Sequence, residues 1–312
     1  MDQKVILAVD IGGSKYVVGL IREDGTIISK KKYQWTWIDP KSVISQLEEA
    51  MRSMQKEQPD VRIAGIGMTI PGLADPREGI WVSSSFMGIY DLPIKKIIEK
   101  DFGYPVEIDN DCNACALAEK RFGCCADTDD FIYITVSNSI GGALFLDGKL
   151  YRGARGNAGE LGICFVEKGK CFSENRRGKL EDYASGRGLT ASYQSLGGKP
   201  AEDGWALDGE YIAFLSRKGD PAARKAFELE GEYLGKVLAA ACAVLDPKKV
   251  IIGGGLSLAF DQYMESLLRT MKKELAVSAD DFPEMRPTAL GYDGALLGAA
   301  AVYLEELVNR SQ

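Results

Sequence analysis

Histidine is absent from all 312 residues, which excludes Ser-His-Asp and Cys-His nucleophilic catalysis and every metal site that needs imidazole. A basic footprint is missing as well. With 38 Lys and Arg against 45 Asp and Glu the net charge is −7, which argues against nucleic acid or an anionic membrane as the main partner. No apolar run approaches the length of a membrane span, and Met1 to Lys4 leads into a strand-like run without a basic, cleavable leader, so a cytoplasmic protein is expected. The seven cysteines (Cys112, Cys115, Cys124, Cys125, Cys164, Cys171 and Cys242) form no regular disulfide framework and read as reduced thiols. Cys112-x-x-Cys115 falls inside a predicted helix, where packing is the first reading and a redox pair the second. The length allows two cores.

What is present is organised around Ile108-Asp109-Asn110-Asp111-Cys112-Asn113. A short β-like run from Tyr104 to Ile108 gives way there to a segment rich in helix formers, so Asp111 is predicted where a strand passes into a helix. Ligands of open α/β sheets bind at such strand ends. Asn110 or Asp109 can cap the helix, and its first-turn amides and dipole favour an ionised Asp111. A positioned carboxylate can take the proton of a hydroxyl attacking a phosphoryl group. Equally, Asn110 and Asp111 can be cap residues and nothing more.

Val5 to Val9 is a continuous apolar run typical of a buried strand, and it ends in Asp10-Ile11-Gly12-Gly13-Ser14-Lys15. Strands follow at Tyr16 to Ile21 and from Thr26, joined by Glu23-Asp24-Gly25. The paired glycines therefore lie in a β-hairpin, unlike the strand-to-helix setting of a dinucleotide or Walker loop. Gly12 and Gly13 can admit a phosphate to backbone N–H groups, with Ser14 and Lys15 as further donors; an ordinary tight turn with glycine at positive φ accounts for the same residues. The pattern recurs as Phe131 to Val136, Ser137-Asn138-Ser139-Ile140-Gly141-Gly142, Ala143 to Leu146, Asp147-Gly148 and Lys149 to Tyr151. This reads as an internal duplication. Two such hairpins facing each other would hold a nucleoside triphosphate between lobes.

Further elements are an amphipathic helix at Pro40 to Gln58, a strand at Ile63 to Thr69 ending in Pro71-Gly72, a polar loop at Val82 to Phe86 and a helix at Pro93 to Phe102. Gly153 to Lys179 reads as irregular and site-forming. Helices fill most of Leu180 to Ala243, and Val250 to Ile252 is a buried strand running into Gly253-Gly254-Gly255. Helices at Phe260 to Leu275 and Ala295 to Leu307 complete the chain.

Taken together, Asp10-x-Gly-Gly-Ser-Lys15, Pro71-Gly72, Asn110-Asp111-x-Asn113, the second Gly-Gly hairpin, Ala158-Gly159-Glu160-Leu161-Gly162, Leu180-Glu181, Ser185-Gly186 and Gly253-Gly254-Gly255 resemble the ROK family of repressors, open reading frames and sugar kinases. The resemblance implies an α/β, two-lobed, actin-like (ribonuclease H-like) ATPase fold with an interlobe cleft. The lobes would be residues 1–120, with the final helix at about 295–312 packing back on them, and residues 121–294. The chain starts at the first ATPase strand, without the repressors' helix-turn-helix, which points to the kinase branch. Asp111 would then be the general base, and Asn110, Glu160 and Glu181 would bind sugar hydroxyls, since each carboxylate can accept from two. Gly72 would let backbone approach the sugar. Gly12, Gly13, Ser14, Lys15, Asn138, Ser139 and Gly141 would hold the phosphates of ATP, and Gly254 and Gly255 would flank adenosine. Asp10 would sit near Mg2+, through water. The family further implies a small-molecule sugar as partner and a homodimer.

Departures from the family pattern bear on substrate choice. The usual histidine touching sugar and zinc is Ile163, and the zinc cysteines align with Phe172 to Lys179, so no structural zinc is expected. Gly-Thr-Gly of the second phosphate loop is Ser137-Asn138-Ser139, and the sugar-loop asparagine is Ser85. The expected activity is ATP-dependent phosphorylation of a hexose or N-acylated amino sugar; the alternative is a non-catalytic sugar sensor.

Overall fold

The structure, a computed structural model, describes residues 4–167, 178–201, 204–275 and 282–309. It divides into two compact units, one of Met1–Asp127, Arg152–Asn157 and Tyr292–Gln312, the other of Thr128–Tyr151 and Ala158–Gly291.

Unit 1 opens with strands β1 (Val5–Ile11), β2 (Lys15–Arg22) and β3 (Ile27–Gln34), followed by helix α1 (Pro40–Glu57) and β4 (Ile63–Ile70). The Asp39 carboxylate caps α1 by accepting from Lys41 N and Ser42 N, with Pro40 pre-set for the first turn. Strands β5 (Leu73–Asp75), β6 (Ile80–Ser84) and β7 (Ile89–Leu92) come next, then α2 (Ile94–Phe102), β8 (Val106–Asn110) and α3 (Asp111–Phe122). The main sheet has the order β3-β2-β1-β4-β8, antiparallel through the hairpin and parallel from β1 to β8. On one face Leu7, Val9, Val18, Leu20, Ile66 and Met68 bury against Leu47 and Met51 of α1 and Ile94 and Ile98 of α2.

The loop expected at Val82 to Phe86 is a correction. β6 runs through Ser84 into a 3-10 turn at Ser85–Met87, and β5, β6 and β7 form a small antiparallel sheet. Trp81 is the physical reason: it is fully buried, with its indole N–H on the Pro71 carbonyl at 3.2 Å.

Unit 2 repeats the sheet. Strands β9 (Phe131–Val136), β10 (Ile140–Leu146) and β11 (Lys149–Tyr151) precede α4 (Leu180–Ala184), α5 (Gly186–Ser195), α6 (Gly209–Arg217) and α7 (Pro221–Leu245). Strand β12 (Lys249–Gly253), α8 (Phe260–Leu275) and β13 (Glu284–Pro287) follow. The order β11-β10-β9-β12-β13 and its strand directions match unit 1 position for position, as the duplicated sequence pattern anticipates. Sequence reasoning misses β13, an edge strand of four residues ending in proline with no apolar alternation to betray it. It also starts β10 three residues late, because Gly141 and Gly142 lie within the ladder, paired with Thr135 and Ile134.

The last helix, α9 (Gly294–Asn309), belongs to unit 1 and covers the second face of its sheet. Gly65 and Gly67 of β4 make room for it, since a Cβ there would overlap the Tyr303 ring and the Ala299 carbonyl. The Tyr303 hydroxyl donates to the Ala64 carbonyl at 2.8 Å.

Candidate functional site

In unit 1 the carboxyl ends of three parallel strands bring Asp10, Gly72, Asn110 and Asp111 to one edge. Asp10 pairs in register with Thr69, and Thr69 with Asp109. The Thr69 hydroxyl donates to Asp10 Oδ1 at 2.7 Å and accepts from Ile11 N at 3.2 Å. Burial pushes the Asp10 carboxyl up, against the Thr69 hydrogen bond and the Lys15 charge, which pull it down. A half-buried carboxylate whose charge is costly suits a cation held through water. Among the described residues no cluster of three or more metal-ligating side chains occurs.

The first bend is stiffened from its own side of the sheet. The Trp35 indole N–H donates to the Gly12 carbonyl at 2.9 Å, and Gly12 N donates to the Lys15 carbonyl at 2.9 Å. Trp35 packs on Tyr16 with centroids 4.2 Å apart, and Tyr16 stacks on Tyr33 at 5.1 Å. Neither Gly12 nor Gly13 is among the residues with positive φ. The turn explanation for these glycines therefore fails, and close approach explains them: a Cβ on Gly13 would press on the Phe86 ring. Ser14 and Lys15 are exposed, Lys15 already as the first residue of β2. Partial desolvation lowers the Lys15 pKa, helped by the charge of nearby Lys32, with Asp10 opposing.

Gly72 follows β4 at φ 97°, where a side chain would run into the Ser83 carbonyl. Ser85 is exposed beside it in the 3-10 turn, and the Ser84 hydroxyl is buried without a hydrogen-bond partner. Asn110 caps α3, its Oδ1 accepting from Asn113 N at 2.7 Å, so Asp111 is the first helical residue and half-buried. Asp109, the other cap candidate, does something sequence reasoning missed. It is 1% exposed; its Oδ2 accepts from Arg152 Nε at 3.0 Å and Nη2 at 2.5 Å, and its Oδ1 from Asn113 Nδ2 at 2.9 Å and Asn110 N at 2.8 Å. Forty-three residues separate the ion pair, and no local pattern announces it.

In unit 2 four segments meet around the second bend. Ser137 N donates to the Ser139 carbonyl at 3.0 Å, closing a bend in which no residue has positive φ, so serine and asparagine fit where glycine is not required. Gly142 and Gly159 approach backbone to backbone, and a Cβ on Gly162 would collide with the Ile140 carbonyl; this sets exposed Glu160 beside the strand. Gly254, at φ 79°, lies on the Val136 carbonyl at the end of β9, with Gly255 next to it. Gly186 N, at the start of α5, donates to the Ser137 carbonyl at 2.6 Å. Glu181, 4% exposed in the first turn of α4, is close by, since α4 packs on the 161–163 turn. Asn138, Ser139 and Gly141 thus share one region with Glu160, Gly254 and Gly255.

Ile163, where the resemblance leads to the expectation of a histidine, is 46% exposed. Cys164 is a free thiol pushed up by burial against the Lys179 charge, while Cys171 and 172–177 lie outside the described residues. No described helix is long and apolar enough to cross a membrane.

A family model described as "ROK family" matches residues 6–306. The ROK hexokinase of Thermus thermophilus is 33% identical, with a TM-score of 0.81 over 97% of this chain and 99% of that one. A ROK family glucokinase from Streptomyces griseus, solved with glucose and AMPPNP, is 27% identical at a TM-score of 0.81, over 95% and 98%. The Thermotoga maritima glucokinase is 30% identical over 319 residues, 98% of this chain and 99% of that one.

Proposed function

The chain belongs to the ROK family, and from that premise we propose that it is an ATP-dependent kinase of a hexose or N-acylated amino sugar. The observation that carries the reading is Asp111 at the strand-to-helix junction of β8 and α3, capped by Asn110, in a chain similar along nearly its whole length to a glucokinase solved with glucose and AMPPNP. Asp111 takes the proton of one sugar hydroxyl as its oxygen bonds to the γ-phosphorus of ATP; the bond to the bridging oxygen breaks and ADP leaves. Asn110, Glu160 and Glu181 hold neighbouring hydroxyls, with Gly72 and Ser85 lining the sugar. The first turn of α3 holds Asp111 in place for that task, Cys112 N donating to its Oδ1 at 2.9 Å. The residues of the two bends hold the phosphates, and Gly254 and Gly255 flank adenosine.

Mg2+, when bound, supplies charge neutralisation on the phosphates, and Asp10 is the residue that would hold it through water. No zinc is needed in this reading, and a zinc assay finding one metal per chain would overturn that part of it. The same family analogy makes the protein a homodimer.

The test is ADP release from MgATP across hexoses, N-acetylhexosamines and their epimers. Sugar-dependent turnover that falls at least about a hundredfold in Asp111→Asn is the expected result. Sugar binding without turnover for any sugar would replace the kinase with a sensor.

A further inference from the structure

The two bends differ in one respect that bears on phosphate binding. The first carries its own cation, Lys15, inside the motif, whereas Ser137-Asn138-Ser139-Ile140-Gly141-Gly142 carries no charge at all. A loop that meets an anion of several negative charges with neutral groups alone gives up charge-assisted hydrogen bonds, which are roughly twice as strong as neutral ones. The missing cation arrives from elsewhere in unit 2. Arg187, exposed in the first turn of α5, places its Nε 3.0 Å from the Asn138 carbonyl, at the tip of the bend. The adjoining residue fixes the approach: Gly186 N donates to the Ser137 carbonyl at 2.6 Å, and a Cβ at Gly186 would already stand 3.2 Å from that oxygen. Ser185 holds the turn, its hydroxyl accepting from Gly188 N at 3.3 Å. Two successive residues of α5 are thus docked on two successive carbonyls of the bend.

We infer that Arg187 is the cation of the second phosphate loop, binding the nucleotide's phosphates while its Nε–H keeps the Asn138 peptide in place. The inference rests on the kinase reading for the identity of the loop, and it adds a binding residue 45 positions beyond the end of the motif at Gly142. A guanidinium suits the task better than an ammonium, because it can hold a backbone oxygen with one N–H and present others in a fixed plane to phosphate oxygens.

The experiment is calorimetric binding of AMPPNP with Mg2+, and of adenosine alone, to wild type, Arg187→Gln and Arg187→Lys. Arg187→Gln is expected to weaken AMPPNP at least about tenfold and leave adenosine within about twofold, and Arg187→Lys to recover part of the loss. AMPPNP binding unchanged in Arg187→Gln overturns the inference, as does equal weakening of adenosine, which would mean that the side chain only supports the fold. Should Arg187→Gln not fold, Arg187→Lys decides: AMPPNP weakened more than adenosine supports the inference, and equal effects on the two overturn it. Wild type that binds neither compound also overturns it. Wild type that binds AMPPNP yet turns over no sugar removes the kinase reading, and the variants still decide the role of Arg187.

Discussion

The bend between β1 and β2 and the bend between β9 and β10 occupy the same place in two sheets of the same strand order, yet different forces hold them. Side chains support the first: Trp35 on the Gly12 carbonyl, the Tyr16 and Tyr33 rings behind it, Phe86 over Gly13. Backbone chiefly supports the second, through Gly142 against Gly159, Gly254 on Val136 and Gly186 on Ser137, with Arg187 on the Asn138 carbonyl as the side-chain contribution. A duplicated fold preserves strand order while the local means of fixing a loop diverge. Side-chain supports can yield to a substitution, and backbone contacts cannot, so equivalent changes in the two units should have unequal effects.

The largest expected effect sharpens this contrast at the strand ends. In unit 1 β8 ends in the buried Asp109–Arg152 pair, while its counterpart β13 ends in Pro287 with a backbone bond from Thr288 N to the Ile252 carbonyl at 2.8 Å. Arg152→Ala leaves the buried Asp109 carboxyl without its guanidinium partner, at a cost of about 3 kcal/mol; this is the low end for a broken buried pair because the guanidinium is 37% exposed. Hydrogen exchange should show the loss in β8 and the start of α3, with β12 and β13 unchanged. The double variant Arg152→Ala, Asp109→Asn should recover part of it, because no unpaired charge stays buried. Equal losses in both units would refute the assignment.

That pair also marks where the sequence stopped being legible. Asp111 could be read because a β-like run meets helix formers behind a cap residue, all within ten positions. The duplication could be read because an apolar run, two glycines and an Asp-Gly or Glu-Asp-Gly turn recur in order. Arg152, Trp35 and Arg187 could not, since each acts on a partner far along the chain through one hydrogen-bonding group that leaves no periodic trace. The glycines of the first bend are legible as a bend but not in their reason, and only φ and the Phe86 contact decide between turn and close approach.

Next in size is a matched pair of glycine substitutions. In Gly142→Ala the new methyl meets the Gly159 carbonyl at 2.7 Å, and neither backbone can withdraw without moving Glu160 or β10, so a loss of about 2 kcal/mol is expected. Gly13→Ala meets only the edge of Phe86, whose ring is 63% exposed and can swing aside, at a cost below about 1 kcal/mol. Denaturant midpoints of the two variants check the ordering. A Gly13 variant as damaged as the Gly142 one would break the distinction between side-chain and backbone support.

Trp35→Phe should cost about 1 kcal/mol, the worth of one part-buried hydrogen bond to the Gly12 carbonyl. Its signature is local, with faster exchange of the amides around Gly12 and unaltered exchange around Ser137.

The smallest effect is a pH dependence confined to the first bend. Burial, then the neighbouring Tyr33 and Glu49, push the Tyr16 phenol up to about 12 from its ordinary value of 10.0. The unfolded chain therefore loses this proton first as pH rises. The stability that Tyr16 contributes is intact below about 10 and drains away between about 10 and about 12. Protection factors of the β1–β2 bend amides, taken against the base-catalysed intrinsic rate at each pH, should fall across that window. In Tyr16→Phe that loss of protection should vanish, because the ring stays to pack on Trp35 and the titrating hydroxyl is gone, together with its 3.2 Å bond to the Gln46 carbonyl. An alkaline loss of protection that persists in Tyr16→Phe would mean that the Tyr16 hydroxyl is not the group whose titration loosens this bend.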